Sequence, residues 1–235
     1  MFQNQNRFAS PSNLGVRPAA QLSAAFLTQA FAWMFAGLLL TAGISWVVQS
    51  SDALLEVARN LIFPVIILQF GLVIGISWGI RRINATLALG LFFVYAASVG
   101  LTVGLIVSLY AQASVAQAFL SAAAMFGGAA IYGATTKRSL ASLGGILFMG
   151  LIGLIVAMVL NIFLASSTLS WIISIAGIVI FTALTAYDVQ RIQRGDLAAM
   201  TGSMEKAAVL GALRLYLDFI NLFLFFLRLF GSSRN

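Results

Sequence analysis

The last long apolar stretch of the chain, residues 207–230, carries polar side chains at regular intervals. Four of them follow one another at steps of four, three and seven residues: Arg214, Asp218, Asn221 and Arg228. On an α-helix those steps place side chains along one stripe. A charge inside the hydrocarbon of a bilayer costs roughly 3 kcal/mol or more. The stripe should therefore face protein or a water-filled cavity, and Asp218 becomes a functional candidate.

A second acid has a similar setting. The chain has only six acidic residues, and Asp188 ends the sixth apolar stretch, three residues after Thr185. If the last helix begins early in the loop at 189–206, its register brings Asp218 near Asp188. The other four acids lie in loops, where solvation is the simplest interpretation: Asp52, Glu56, Asp196 and Glu205.

The chemistry of such a pair follows from its surroundings. Two carboxylates close together in a low-dielectric site cannot both be ionised at low cost, so the pair would take up a proton. Asp188 and Asp218 are therefore candidate pH-sensing residues. They are also candidate Ca²⁺ ligands, supported by the oxygens of Thr185 and Asn221. The alternative is structural: Arg214 pairs with Asp218 one turn away, and Asp188 caps a helix or pairs with a loop arginine. The residues favour neither alternative.

Composition defines the elements that must position these groups. The chain is 61% hydrophobic and 8% charged, with a mean hydropathy of +1.03. Soluble domains carry about 25% charged residues, so this is a multi-pass membrane protein whose surroundings are the lipid bilayer. The net charge of +7 lies in short loops rather than in one basic helix, which argues against nucleic acid. Histidine and cysteine are absent, so we expect no enzyme and no cofactor beyond a bound or permeant Ca²⁺.

The fold class follows from the apolar stretches. Seven of them approach the length of about 20 residues that spans a bilayer: 23–48, 61–80, 85–110, 115–135, 140–164, 169–187 and 207–230. They predict an all-α membrane protein, a seven-helix transmembrane domain over residues 21–235. Residues 1–20 are polar and predict a disordered N-terminal tail. Only residues 111–114 separate the third and fourth stretches, which predicts a tight antiparallel hairpin.

Two further patterns concern orientation and packing. Lys and Arg divide nine against three between the two sides, which predicts a cytoplasmic N-terminus and a C-terminus outside. Small residues predict close helix contacts. At four-residue spacing these are Gly71, Gly75 and Gly79 in the second stretch and Ala96, Gly100 and Gly104 in the third, and the adjacent pair Gly127 and Gly128 lies mid-way through the fourth.

Several segments of the chain resemble those of a known membrane-protein family. The segment FTALTAYDVQ at 181–190 and the segment GALRLYLDFINLFLFFLRLFG at 211–231 resemble the Bax inhibitor-1, or Bax-inhibitor-motif, membrane family. The match is to its bacterial YccA/YbhL-like branch. AWMFAGLLLTAG at 32–43 and MFGGAAIYGATTKRSLASLGGILFMGLIG at 125–153 support it. The resemblance covers most of the chain after residue 20.

The resemblance carries expectations about fold and activity. It implies a bacterial inner-membrane protein in which six helices surround a central C-terminal helix. It also implies a pH-sensitive calcium leak gated by two aspartates, which match Asp188 and Asp218 here. An arginine at the end of the second helix would latch the closed state, and Arg81 or Arg82 occupies that place. We expect a monomer.

One position departs from the family pattern. Relatives usually carry a small hydroxyl residue where this chain has Arg214. A fixed positive charge one turn from Asp218 stabilises the ionised carboxylate and competes with Ca²⁺. The hypothesis is that this site is latched, or tuned to lower pH, relative to the family pattern.

The resemblance also supplies an alternative function. Bacterial members are linked to membrane-protein quality control, in which they modulate a membrane-bound AAA protease. In that case the chain is a membrane-embedded interaction protein acting on a protease or a stress response without transporting ions. The polar tail at residues 1–20 would be the contact for such a partner.

Overall fold

The computed structural model describes residues 20–231, with side chains from Ala25 onward. Residues 1–19 and 232–235 lie outside the described part, and with them nearly all of the predicted polar tail. Seven of the described helices are long and apolar enough to cross a membrane, which confirms the predicted all-α, seven-span fold. The helices are α1 (Ala20–Gln49), α2 (Asp52–Asn60), α3 (Ile62–Gly79), α4 (Ala85–Val107), α5 (Gln112–Thr135), α6 (Leu143–Leu164), α7 (Ser167–Gln193), α8 (Asp196–Thr201) and α9 (Met204–Phe230).

Local sequence fixes where several spans begin. The side chain of Asn84 accepts a hydrogen bond from the Leu87 amide at 2.7 Å and caps α4. Ser166 accepts from the Leu169 amide at 3.2 Å and caps α7 in the same way. Such side chains satisfy backbone donors that the first turn of a helix leaves without a partner. These polar residues therefore mark the boundaries between connectors and apolar spans.

Two connectors contain short helices that the sequence pattern did not predict. The helix α2 carries Asp52 and Glu56, both exposed as expected for solvated acids. The helix α8 lies between Gly195 and Gly202, whose φ angles of 74° and 70° favour glycine. Because α7 extends to Gln193 and α9 begins at Met204, the connector is shorter than expected.

The C-terminal helix lies at the centre of the bundle. In its most apolar window 78% of the α9 residues are buried, against 6% for α3 and 11% for α6. The spans that pack against α9 are α1, α4, α5 and α7, whereas α3 packs on α4 and α6 packs on α7. Four spans, rather than all six, therefore surround α9, and α3 and α6 form an outer layer.

The third and fourth spans do not pack against each other as the predicted tight hairpin requires. Although only four residues separate α4 from α5, α4 packs mainly on α1, and α5 packs on α7 and α9. A short connector fixes where two helices meet, but burial decides which faces associate.

The predicted small-residue contacts hold for one helix only. A side chain at Gly100 or Gly104 of α4 would meet Ile44 or Val48 of α1, which confirms close packing there. A side chain added at any of the three glycines of α3 or at the pair in α5 would meet no atom of another described helix within 4 Å. The packing prediction is therefore wrong for Gly71, Gly75, Gly79, Gly127 and Gly128. The helix α5 approaches a neighbour closely at a different glycine, Gly133, which lies against the backbone of Ala186 on α7.

Candidate functional site

The two helices that carry the acidic residues run antiparallel in a regular register. Gly211 of α9 packs against Ile192 of α7, and Phe225 of α9 packs against Gly177 of α7. The contact between Arg214 and Asp188 lies between these two levels. With a rise of about 1.5 Å per residue in both helices, the same register puts Asp218 roughly level with Thr185.

Arg214 and Asp188 form a salt bridge between the two helices. The Arg214 Nη1 atom donates to Asp188 Oδ1 at 3.0 Å. The Asp188 side chain is 8% exposed and the Arg214 side chain 30%, so the acid is buried and the arginine is partly exposed. The structural alternative had paired Arg214 with Asp218 on its own helix. The arginine instead reaches across to α7.

Asp218 is the least satisfied group of the site. It is 4% exposed, and its Oδ2 atom is a buried oxygen that has no hydrogen-bond partner among the residues that the structure describes. The charges of Asp188 and Arg214 both act on this carboxylate. Two carboxylates and one guanidinium leave the cluster with one uncompensated negative charge when both acids are ionised.

A fourth charge lies nearer the end of α7. Arg191 lies three residues after Asp188 on α7, whereas the salt bridge of Asp188 is with Arg214. Its guanidinium lies 5.4 Å from the centre of the Tyr187 ring, and its side chain is partly exposed. Solvent at that end of the helix screens Arg191, so it compensates the buried acids only in part.

The other predicted polar residues of the two helices differ in burial and in hydrogen-bond partners. Thr185 is fully buried, and its hydroxyl donates to the Phe181 carbonyl at 2.8 Å. Asn221 is partly exposed, and its Nδ2 donates to the Leu217 carbonyl at 2.8 Å. Arg228 is exposed at the far end of α9, 5.9 Å from the centre of the Phe225 ring. Of the predicted supporting residues, Thr185 is the one whose level matches Asp218.

The arginines predicted to latch the site lie elsewhere. Arg81 Nε donates to the Met200 carbonyl of α8 at 2.7 Å, and the Lys206 ammonium donates to the Arg81 carbonyl at 3.3 Å. These contacts tie the end of α3 to α8 and to the start of α9. The structure does not bring Arg81 to the carboxylates. Arg82 donates its backbone amide to the Gly79 carbonyl at 2.8 Å, and its guanidinium forms no hydrogen bond or ion pair with the residues that the structure describes. Arg214 occupies the position of charge partner instead.

Sequence reasoning missed Gln190. This buried side chain lies two residues beyond Asp188. It both accepts a hydrogen bond from the connector between α5 and α6 and donates one to it. Its Oε1 accepts from the Leu140 amide at 2.8 Å, and its Nε2 donates to the Arg138 carbonyl at 2.8 Å. The signal was a glutamine directly after an apolar span and beside an acidic candidate. Gln190 holds the end of α7 that carries the site.

Sequence reasoning also missed Tyr216. This residue is fully buried on α9, and its hydroxyl lies 2.6 Å from the hydroxyl of Thr41. Thr41 also donates to the Ala96 carbonyl at 2.8 Å. A tyrosine two residues from Asp218 lies on the opposite side of the helix. It joins α9 to α1 and α4 while Asp218 faces α7.

The oxygen ligands for a metal ion are few. No group of three or more His, Cys, Asp or Glu residues that could hold a metal ion occurs in the described part of the chain. A Ca²⁺ ion at this site would have the two carboxylates, the Thr185 hydroxyl and backbone carbonyls as protein ligands. Ca²⁺ takes six to eight oxygens, so water would have to supply the remainder.

Comparison with known proteins places the chain in a family. The family described as "Inhibitor of apoptosis-promoting Bax1" matches residues 23–235. The inner membrane protein YbhL of Escherichia coli K12 is 42% identical over 225 residues, which cover 93% of this chain and 96% of that protein. An uncharacterized protein of Borreliella burgdorferi is 41% identical over 215 residues, covering 89% of this chain and 93% of that protein. The chain therefore belongs to the Bax inhibitor family of membrane proteins.

Proposed function

We propose that this protein is a pH-sensitive cation leak whose passage is controlled by Asp188 and Asp218, with Ca²⁺ as the permeant ion. One observation supports the proposal most strongly. The Oδ2 atom of Asp218 is buried and has no hydrogen-bond partner among the described residues, beside a salt bridge that satisfies Asp188. A buried carboxylate oxygen without a donor is costly, and a cation relieves that cost.

The charge of the cluster suggests how protons and Ca²⁺ compete. With Arg214 bound to Asp188, a single proton on Asp218 neutralises the cluster. A Ca²⁺ ion would bring one positive charge too many while the salt bridge persists. Ca²⁺ therefore enters when Arg214 leaves Asp188, and the Arg214 side chain, which is 30% exposed, is not fully enclosed by protein. In this mechanism protonation and the Arg214 salt bridge both close the site to Ca²⁺.

The small number of ligands is compatible with conduction. Two carboxylates with hydroxyl and carbonyl support form a weaker Ca²⁺ site than an acidic cage with several charged ligands. A conducting pathway must bind an ion well enough to admit it and weakly enough to release it. The site resembles a transit point more than a storage site.

Calcium flux measured across a pH series tests the proposal. The protein is reconstituted into liposomes with a Ca²⁺-sensitive dye inside. Wild-type flux should fall as the pH is lowered, because protons occupy the carboxylates. Asp218→Asn should abolish most of the flux and its pH dependence, whereas the matched control Glu56→Gln, an exposed acid on α2, should behave as wild type.

The Arg214→Ser variant tests the role of the salt bridge. Removing the guanidinium leaves Asp188 free to bind a cation, so flux should rise at pH values at which both carboxylates are ionised and should be lost on acidification at a higher pH than in the wild type. Arg81→Ser should change the flux much less, because Arg81 contacts Met200 rather than a carboxylate. Wild-type flux that does not exceed that of empty liposomes, or equal flux in the wild type and Asp218→Asn, would refute the proposal.

A further inference from the structure

A cavity lies between α1 and α5, away from the two aspartates. Both helices pack mainly against α9, and the contact between them is the edge-to-face pair of Phe31 and Phe126, whose ring centroids lie 6.2 Å apart. The space between them has a volume of about 390 Å³. Its deep side is formed by Phe219, Ile220 and Phe223 of α9, which turn away from the face that carries Asp218. The size lies within the range of sites that bind small molecules.

The cavity opens sideways, between two membrane spans. Trp46 of α1 and Phe119 of α5 line it, and these side chains are 72% and 50% exposed. Both helices are candidate spans, so the medium at the opening is the bilayer rather than bulk water. Hydrocarbon chains are therefore the molecules that reach this opening in the membrane.

Polar groups follow one wall of the cavity and are mostly satisfied. Thr41, Ser45 and Gln49 lie at four-residue steps along α1, over about 12 Å of helix. Thr41 binds Tyr216 and the Ala96 carbonyl. Gln49 Nε2 donates to the carbonyl and hydroxyl oxygens of Ser45 at 3.0 and 3.2 Å. The deep part of the cavity is thus apolar in effect, because its hydroxyls are already engaged.

The end of the cavity is different. Gln49 is the last residue of α1, and Gln112 is the first residue of α5 and is exposed. Both line the cavity where the spans leave the hydrocarbon. Two amide side chains at the mouth of an apolar slot match a molecule with an alkyl chain and a head that accepts hydrogen bonds.

We propose that this cavity holds one acyl chain of a phospholipid from the adjacent leaflet, with its ester or phosphate oxygens at Gln112, beside the Gln49 amide that also binds Ser45. The end concerned is the one opposite Arg81, Arg138 and Lys206. A second cavity of about 390 Å³ lies on the other side of α1, beneath α2, but its lining is apolar throughout, for example Leu39, Val47 and Leu54. It has no polar end to hold a head group. The site between α1 and α5 is therefore the better fit for a retained lipid.

Photolabelling in a defined bilayer tests this site. The full-length protein is placed in nanodiscs that contain a phosphatidylethanolamine with a diazirine on one acyl chain. After irradiation, labelled residues are identified by peptide mass spectrometry. We expect labels on Phe219, Ile220 or Phe223, which line the cavity and are at most 8% exposed. Labels confined to exposed residues such as Phe163 of α6 would overturn the proposal.

Substitutions that fill the cavity provide the second arm. Ala116→Phe on α5 places a ring in the cavity and should reduce labelling of α9 severalfold. Ala124→Phe, exposed on the same helix but outside the lining, should leave that labelling unchanged. If Ala116→Phe does not fold, Ala42→Phe on the facing wall replaces it. Equal labelling of α9 in the filled and control variants would contradict the assignment.

Gln49→Leu and Gln112→Leu together test the head group. The double variant keeps the apolar slot and removes both amides. Native mass spectrometry of the purified protein should show less retained phospholipid than in the wild type, while Gln117→Leu, exposed on α5 outside the lining, should retain the wild-type amount. Unchanged retention in the double variant would contradict the role of the amides.

Discussion

The two ends of this bundle are held together by different means. At the end that carries Arg81 and Lys206, polar contacts join the helices, such as the bonds from Gln190 to the connector before α6. At the other end α1 has a cavity on each side and is held to α4 through contacts at Gly100 and Gly104. Polar contacts occur at that end too, since Asn161 Nδ2 of α6 donates to Ser170 Oγ of α7 at 2.6 Å. The difference therefore concerns α1, whose packing leaves space that lipid can fill, whereas side-chain hydrogen bonds close the frame of the charged site.

The largest expected effect is at the salt bridge. Arg214→Ala leaves the buried Asp188 carboxylate without its partner, which should cost about 3 kcal/mol of stability. The measurement is thermal or denaturant unfolding in detergent at neutral pH. The control Arg81→Ala loses one hydrogen bond to a carbonyl and should change stability far less. Equal losses of stability in the two variants would show that the salt bridge between Arg214 and Asp188 does not stabilise this end of the bundle.

A close backbone contact at the same end should give the next effect. Gly133→Ala would drive a methyl group into the carbonyl oxygen and Cα of Ala186, where backbone rather than a flexible side chain must move. We expect a loss of about 1–3 kcal/mol in the same unfolding assay. Gly127→Ala on the same helix has no neighbour within 4 Å and should unfold as the wild type does. A Gly133→Ala protein of normal stability would mean that α5 and α7 separate without cost.

The third prediction concerns the buried hydrogen bond between Thr41 of α1 and Tyr216 of α9, which lies between the two ends of the bundle. Thr41→Val removes the hydroxyl that binds Tyr216 and the Ala96 carbonyl, and should cost about 1–2 kcal/mol. Thr135→Val removes an exposed hydroxyl that binds only its own helix, so its effect should be close to zero. If the two substitutions act alike, the buried contact adds nothing beyond apolar packing.

The smallest expected change is at Asp218, and its sign is informative. Asp218→Asn removes an uncompensated buried charge, so stability at neutral pH should stay the same or rise. Asp188→Asn should lower stability instead, because it takes away the acceptor of Arg214. The same unfolding assay compares the two variants. A large loss in Asp218→Asn would mean that this carboxylate is a structural partner.

Much of the fold could be predicted from the sequence. Length and hydropathy set the seven spans, because a bilayer admits few other structures. Hydropathy could not predict which spans contact each other, because an apolar helix surface is equally compatible with lipid and with another helix. The glycines of α3 and of α4 illustrate the limit: both sets have the same spacing, and only Gly100 and Gly104 have close neighbours.

The candidate site shows the same limit. The stripe on α9 identified Arg214 and Asp218 from the cost of charge in a membrane. The partner of Arg214 depends on how α7 and α9 align, and local spacing favoured Asp218 over Asp188. Gln190 was missed because a polar residue at the end of a span is ordinarily solvated, and only tertiary structure shows that it bonds the connector at Leu140.

Infrared difference spectroscopy tests the central claim most directly, because it detects a proton on a buried carboxyl group. Spectra of the protein in nanodiscs are compared between neutral and acidic pH in the carboxyl C=O stretching region. The account predicts a band for a buried protonated carboxyl group that is lost in Asp218→Asn and retained in Glu56→Gln. A band that persists unchanged in Asp218→Asn would contradict it.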